Sequence, residues 1–332
     1  MDRRKFLTAT TGIAVGSMIP SAALGTRSML LNSDNPVFDA KRWLAFYDEK
    51  RRAGEPADRV RIGLLQHAYD IEETVSRVSD PVVKRELLSI EAQAFGKAGI
   101  TAFNDLGLQR AADKHLRLGM QAARRARNFA VYGWLQIRQG HRLLYDMAPS
   151  DKSNFHDALW TADNAARWAE GNPFLSADLL YVKACAYAAL DNRDMARRAL
   201  NDASMLMASA DLYSAPEWAK LQDPFMSLYA TSGIAHLWMN SPQHAFTDLE
   251  HAMSRTRDDQ AHNAFLLALS AKALTAFGEP EHAAHRLSLA IPVATRQRSV
   301  IRLNAIHDAR RALNRWKREP FVRRLDQQLQ GI

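Results

Sequence analysis

The chain has 332 residues, 47% of them hydrophobic and 24% charged, with a net charge of +8. That is ample for a large packed body, and no run of alternating hydrophobicity is long enough to demand a sheet, so the chain is predicted all-α. Its single cysteine, Cys185, excludes an intramolecular disulfide framework and sits in the apolar stretch 181–190, where a buried small hydrophobe is the expected role.

In chain order, the first element is a basic start (Arg3, Arg4, Lys5) followed by a mildly apolar run from Phe6 to Leu24, with small residues suited to cleavage around Ala23 or Gly25. Arg3, Arg4, Phe6 and Leu7 together resemble a twin-arginine export signal, although Asp2 precedes the pair and Thr8 stands where a Lys often follows. Residues 1–37 are therefore predicted to be a flexible signal or linker, and 38–332 a single helical-repeat domain. Helical spacing of apolar residues over 38–50 and 58–78 predicts an irregular first pair. Five further pairs are predicted at 82–104 with 108–126, 129–147 with 155–170, 174–190 with 193–209, 224–239 with 242–256, and 260–277 with 280–297. Pro292 is expected to kink or shorten the last turns of its helix. A charged closing pair from about 299, over 299–316 and 321–329, presents Arg310, Arg311, Arg315 and Arg323 to water, as a capping unit must.

The pairs carry a register. A turn residue is followed five positions later by Ala and seven after that by a small residue: Gly107, Ala112, Gly119; Ser153, Ala158, Ala165; Asp191, Ala196, Ala203; Asn240, Ala245, Ala252; Gly278, Ala283, Ala290. A C-cap ends one helix, and the next must place a small side chain where it crosses its predecessor closely. The steps between the register alanines at 112, 158, 196, 245 and 283 are 46, 38, 49 and 38 residues. Such self-similarity marks a helical repeat of the tetratricopeptide (TPR) type, in which antiparallel helix pairs stack into a right-handed superhelix. A solenoid has no single core to outgrow, so length does not force a second domain.

Several stretches resemble the C-terminal TPR region of actinobacterial helix-turn-helix regulators of the XRE type: 102–107 (AFNDLG), the helix 111–128 ending Ala-Arg-Asn, 184–196 (ACAYAALDNRDMA), 273–283 around Phe277-Gly278-Glu279-Pro280, and 320–323 (PFVR). The resemblance covers about three quarters of the chain and is carried by scaffold residues. It implies a cytoplasmic regulator, here without a DNA-binding domain, in which the Arg-Arg-x-Phe-Leu segment is the joint that would connect to one. The competing expectation is an exported or membrane-tethered adaptor whose first 25 residues are a working signal.

No chemistry stands out along the chain. There is no G-x-G-x-x-G, no Walker A lysine, no G-x-S-x-G elbow and no H-E-x-x-H; His282 and His285 are read as solvated rather than as metal ligands. A non-enzymatic protein without cofactor or metal is predicted, and the basic clusters come without any nucleic-acid-binding motif. Attention therefore falls on the concave groove. Counting from the small position of each first helix aims His141, Tyr145, Tyr181, Cys185, Trp238, Phe265 and Lys272 toward it. Aromatic and cationic groups there suit a peptide with acidic or carboxylate ends, a small ligand, or a partner such as a separate DNA-binding regulator.

Overall fold

The structure, a computed structural model, describes residues 33–144, 152–211, 215–216, 224–256 and 259–331. Arg3, Arg4, Phe6, Leu7 and Tyr145 lie outside the described residues. Among the described residues there are fourteen α-helices and no strand. They are α1 (Pro36–Arg52), α2 (Ala57–Arg77), α3 (Pro81–Asn104), α4 (Gln109–Ala126), α5 (Phe129–Leu144), α6 (Ser153–Ala169), α7 (Pro173–Ala189) and α8 (Arg193–Ser209). After them come α9 (Pro224–Trp238), α10 (Pro242–Arg255), α11 (Gln260–Ala276), α12 (Pro280–Gln297), α13 (Val300–Ala312), a 3-10 turn (Leu313–Trp316) and α14 (Pro320–Gln330).

Local sequence sets these boundaries. Proline opens α1, α3, α7, α9, α10, α12 and α14, where its missing amide proton has no partner to lose. Asn35, Asp80, Asn172, Asn192, Asp259 and Ser299 each accept a first-turn amide with their side chains. Gly107, Asp191, Asn240 and Gly278, four of the five register turn residues, are left-handed. Beyond three of them the next amide reaches back to close the helix end: Asn192 to the Tyr187 carbonyl, Ser241 to His236 and Glu279 to Leu274, at 2.8–2.9 Å. Ser153 departs from that pattern, because it is already the first residue of α6. Pro292 does not shorten α12, which continues through Gln297. Packing of that helix against α11, α13 and α14 outweighs the one backbone bond the ring removes.

Consecutive helices from α1 to α13 pack together, α14 packs on α12, and the odd-numbered helices also pack on one another, forming an inner row. Register residues Ala112, Ala158, Ala196, Ala245 and Ala283 are all completely buried. At three crossings the facing residue is Gly99, Gly140 or Gly233, where an added Cβ would stand 3.3, 3.7 and 3.3 Å from the carbonyl oxygen of Ala112, Ala158 and Ala245. The small residues thus sit where the backbones meet.

The inner row bends until its end meets its beginning. Helix α11 touches α1, and Arg302 of α13 pairs with Asp105 in the α3–α4 turn, 197 residues away in sequence. Asp105 is also held by Arg51 of α1 at 3.3 Å, and Arg298 approaches Asp58 at 3.9 Å. Elsewhere the array is welded by apolar clusters, one over α1–α4, one from α3 to α11 and one over α11–α14. The seam of the ring is held by ions.

Candidate functional site

At the centre of the ring the inner faces enclose a cavity of about 130 Å³. An apolar cavity of about 150 Å³ in another protein takes a benzene-sized molecule, so the space suits a small ligand or a single side chain of a larger one. Each inner helix from α1 to α11 contributes a stripe at helical spacing: Asp48, Arg51 and Arg52 from α1; Lys97, Ile100 and Asn104 from α3; Trp134, Arg138 and His141 from α5; Asp178 and Tyr181 from α7; Ser227, Thr231 and Ile234 from α9; His262 and Phe265 from α11. The stripe lies on the last turns of α1 and α3, in the middle of α5, and in the first half of α7 and α11. The inner helices therefore slide along one another as the array turns.

Three members of the predicted groove set, His141, Tyr181 and Phe265, line this one cavity. The other three described members do not. Cys185 is buried one turn beyond Tyr181, its thiol 3.9 Å from the Thr231 carbonyl and its pKa pushed up to about 12 by burial. Trp238, one turn beyond the lining residue Ile234, packs on Phe155 with ring centres 5.9 Å apart. Lys272 is half-buried two turns beyond Phe265 and outside the cavity.

Most charges in the cavity are neutralised in pairs. Lys97 reaches Asp48 at 2.7 Å. Arg138 pairs with Asp178, which His141 Nε2 also approaches at 3.4 Å. Burial, reinforced by the Arg138 charge, lowers the His141 pKa well below its ordinary value, so that contact is a neutral imidazole donating to a carboxylate already neutralised by arginine. Burial would raise the Asp105 pKa, but Arg302 and Arg51 overcome that and hold its carboxyl below the ordinary range.

Among the described residues, two uncharged side chains of the lining each keep a buried polar atom without a hydrogen-bond partner. The Tyr181 hydroxyl, on a residue only 3% exposed, has no hydrogen-bond partner, and neither has His262 Nε2. His262 is neutral, with its pKa lowered to about 4 chiefly by burial, and Asp259 fixes its backbone by accepting its amide at 2.8 Å. A buried phenol or imidazole nitrogen without a partner is costly, and both atoms lie on residues that line the same cavity. The sequence reading missed Arg52, Trp134, Arg138, Asp178 and His262. The signal was polar residues interrupting otherwise apolar inner stripes, as Asp178 does in α7.

One other cluster has the residue types of catalysis. Asp248 accepts from Ser232 at 2.6 Å and from His236 Nδ1 at 3.0 Å. Serine and histidine both bond to the carboxylate instead of to each other, so this is not a nucleophile with its base. Among the described residues no His, Cys, Asp or Glu group of three or more is placed to hold a metal, and no helix is long and apolar enough to cross a membrane. No protein-family model matches the chain, and no curated protein matches it.

Proposed function

We propose that this chain is a non-enzymatic, TPR-like regulatory protein that holds a small ligand in the central cavity and changes the curvature of its ring in response. The observation that carries this reading is the pair of buried, unpartnered atoms, Tyr181 Oη and His262 Nε2, on the lining of one cavity. A ligand satisfies them and removes their desolvation cost. The ring supplies the response: each unit contacts chiefly its neighbours, so small rotations add, and their sum falls on the ion-paired seam. Resemblance to the repeat region of XRE-type regulators supports a cytoplasmic protein acting through a partner regulator. The second reading, an exported adaptor, is favoured by Arg3, Arg4, Phe6 and Leu7. The mass of the mature N-terminus decides between them, since cleavage near Ala23 or Gly25 marks export.

The binding reading is tested by native mass spectrometry of the full chain purified from its own host, paired with small-angle scattering before and after the bound species is stripped. A stoichiometric low-mass adduct whose removal alters the scattering profile is expected. A chain with no adduct, and a profile unmoved by extracts of the same cells, would refute the proposal.

A further inference from the structure

We propose that the cavity selects a small monoanion, a carboxylate on a flat apolar body, and that Arg52 takes its charge. This rests on the reading of the cavity as a ligand site and names the ligand's class.

The argument begins with charge. Among the described residues, four carboxylates stand in or against the cavity: Asp48, Asp105, Asp178 and Asp259. Five cations accompany them: Arg51, Arg52, Lys97, Arg138 and Arg302. Lys97 holds Asp48, Arg138 holds Asp178, Arg51 and Arg302 share Asp105, and the Asp259 charge acts on Arg51 and His262. No carboxylate among the described residues reaches Arg52. The two lining histidines add nothing at neutral pH, because burial keeps both uncharged. Among the described residues one positive charge is left over, on a half-buried guanidinium that lines a space with aromatic walls.

A neutral ligand would strip water from Arg52 without replacing it, and a cation would add repulsion; a carboxylate gains a charge-assisted hydrogen bond. The walls set the rest of the molecule. Trp134, Phe103 and Phe265 line the cavity, and the volume admits about one ring. Tyr181 Oη and His262 Nε2 then call for a hydrogen-bonding substituent on that ring. A free aromatic acid and the C-terminal residue of a peptide share this chemistry.

The test is calorimetric titration of the full chain at neutral pH with 4-hydroxybenzoate, its uncharged isostere 4-hydroxybenzamide, and the cation tyramine. The acid is expected to bind at least about tenfold more tightly than the amide, the worth of one charge-assisted contact. Arg52→Gln should bring the acid down to the amide's affinity without changing the amide, and Arg52→Lys should restore part of the loss, both variants melting as the parent does. Equal binding of acid and amide, tighter binding of tyramine, or an acid affinity unchanged in Arg52→Gln would overturn the charge selectivity and leave the ligand site standing. Saturable binding by none of the three would remove both. Displacement of bound 4-hydroxybenzoate by the tripeptide Gly-Gly-Tyr, but not by its C-terminal amide, would assign the carboxylate to a peptide end; no displacement would assign it to a free acid.

Discussion

Two residues illustrate opposite uses of burial. Ala245 is completely covered, and its carbonyl stands 3.3 Å from where a Cβ on Gly233 would be. Ala245→Leu is expected to cost about 1–3 kcal/mol by overpacking this crossing. A urea melt shifted by only a few tenths would show that the register is not a packing register. Tyr181 is also covered, but its hydroxyl has no hydrogen-bond partner. Tyr181→Phe removes an unsatisfied buried polar group and keeps the ring, so it should raise the stability of the ligand-free protein by about 1 kcal/mol while weakening ligand binding. A loss of stability would mean that the hydroxyl has a partner in the free state. The groove set illustrates what sequence reveals at this scale. Counting along each helix points to the face that lines the cavity at Tyr181 and Phe265. Depth along that face depends on how far neighbouring helices slide, which no local pattern encodes. Cys185 and Trp238 therefore fall one turn past the cavity, and Lys272 two.

Helices were the most legible feature because each carries its own punctuation. Proline starts, side-chain N-caps and left-handed ends at Asp191 and Asn240 are local chemistry, and they place α7 to α10 within a residue or two of expectation. The seam was invisible for the converse reason. Arg302 and Asp105 are 197 residues apart, and nothing in a cluster of arginines near the end of a sequence distinguishes one aimed inward from its solvated neighbours. Arg302 is 4% exposed and Asp105 2%. Asp105→Asn removes the charge that both arginines share, and a stranded buried charge is costly enough, about 3–5 kcal/mol, to drive α13 away from the α3–α4 turn. Small-angle scattering should then report a larger radius of gyration, with faster amide exchange in α13 and α14. An unchanged radius would show that the contact of α11 with α1 keeps the ring closed without the ions.

Across the whole molecule, protonation acts through groups that burial has displaced. His67, His115 and His262 all have pKa values lowered from 6.5 to about 4, chiefly by burial. Between those values the unfolded chain binds protons that the folded one refuses, so each histidine withdraws up to about 3 kcal/mol of stability as pH falls from 6.5 toward 4. Glu91 opposes them. Its pKa is raised from 4.5 to about 7 by burial, which the Arg125 charge only partly offsets, and its contribution recovers as pH falls through the same window. With His141, which burial also lowers well below its ordinary value, four groups outweigh one, and the net expectation is a chain several kcal/mol less stable at pH 4 than at pH 7, measured by urea denaturation across that range. A flat profile would mean that these imidazoles are reached by solvent. The seam has a kinetic side as well. Nearly every other contact joins neighbours in the chain and forms by short searches, whereas the meeting of Arg302 with Asp105 must await the helices between them. Ring closure is then the final event of folding and the first of unfolding, and a protease probing the native protein should make its earliest cuts near residues 298–302, faster in high salt, with the inner row still intact.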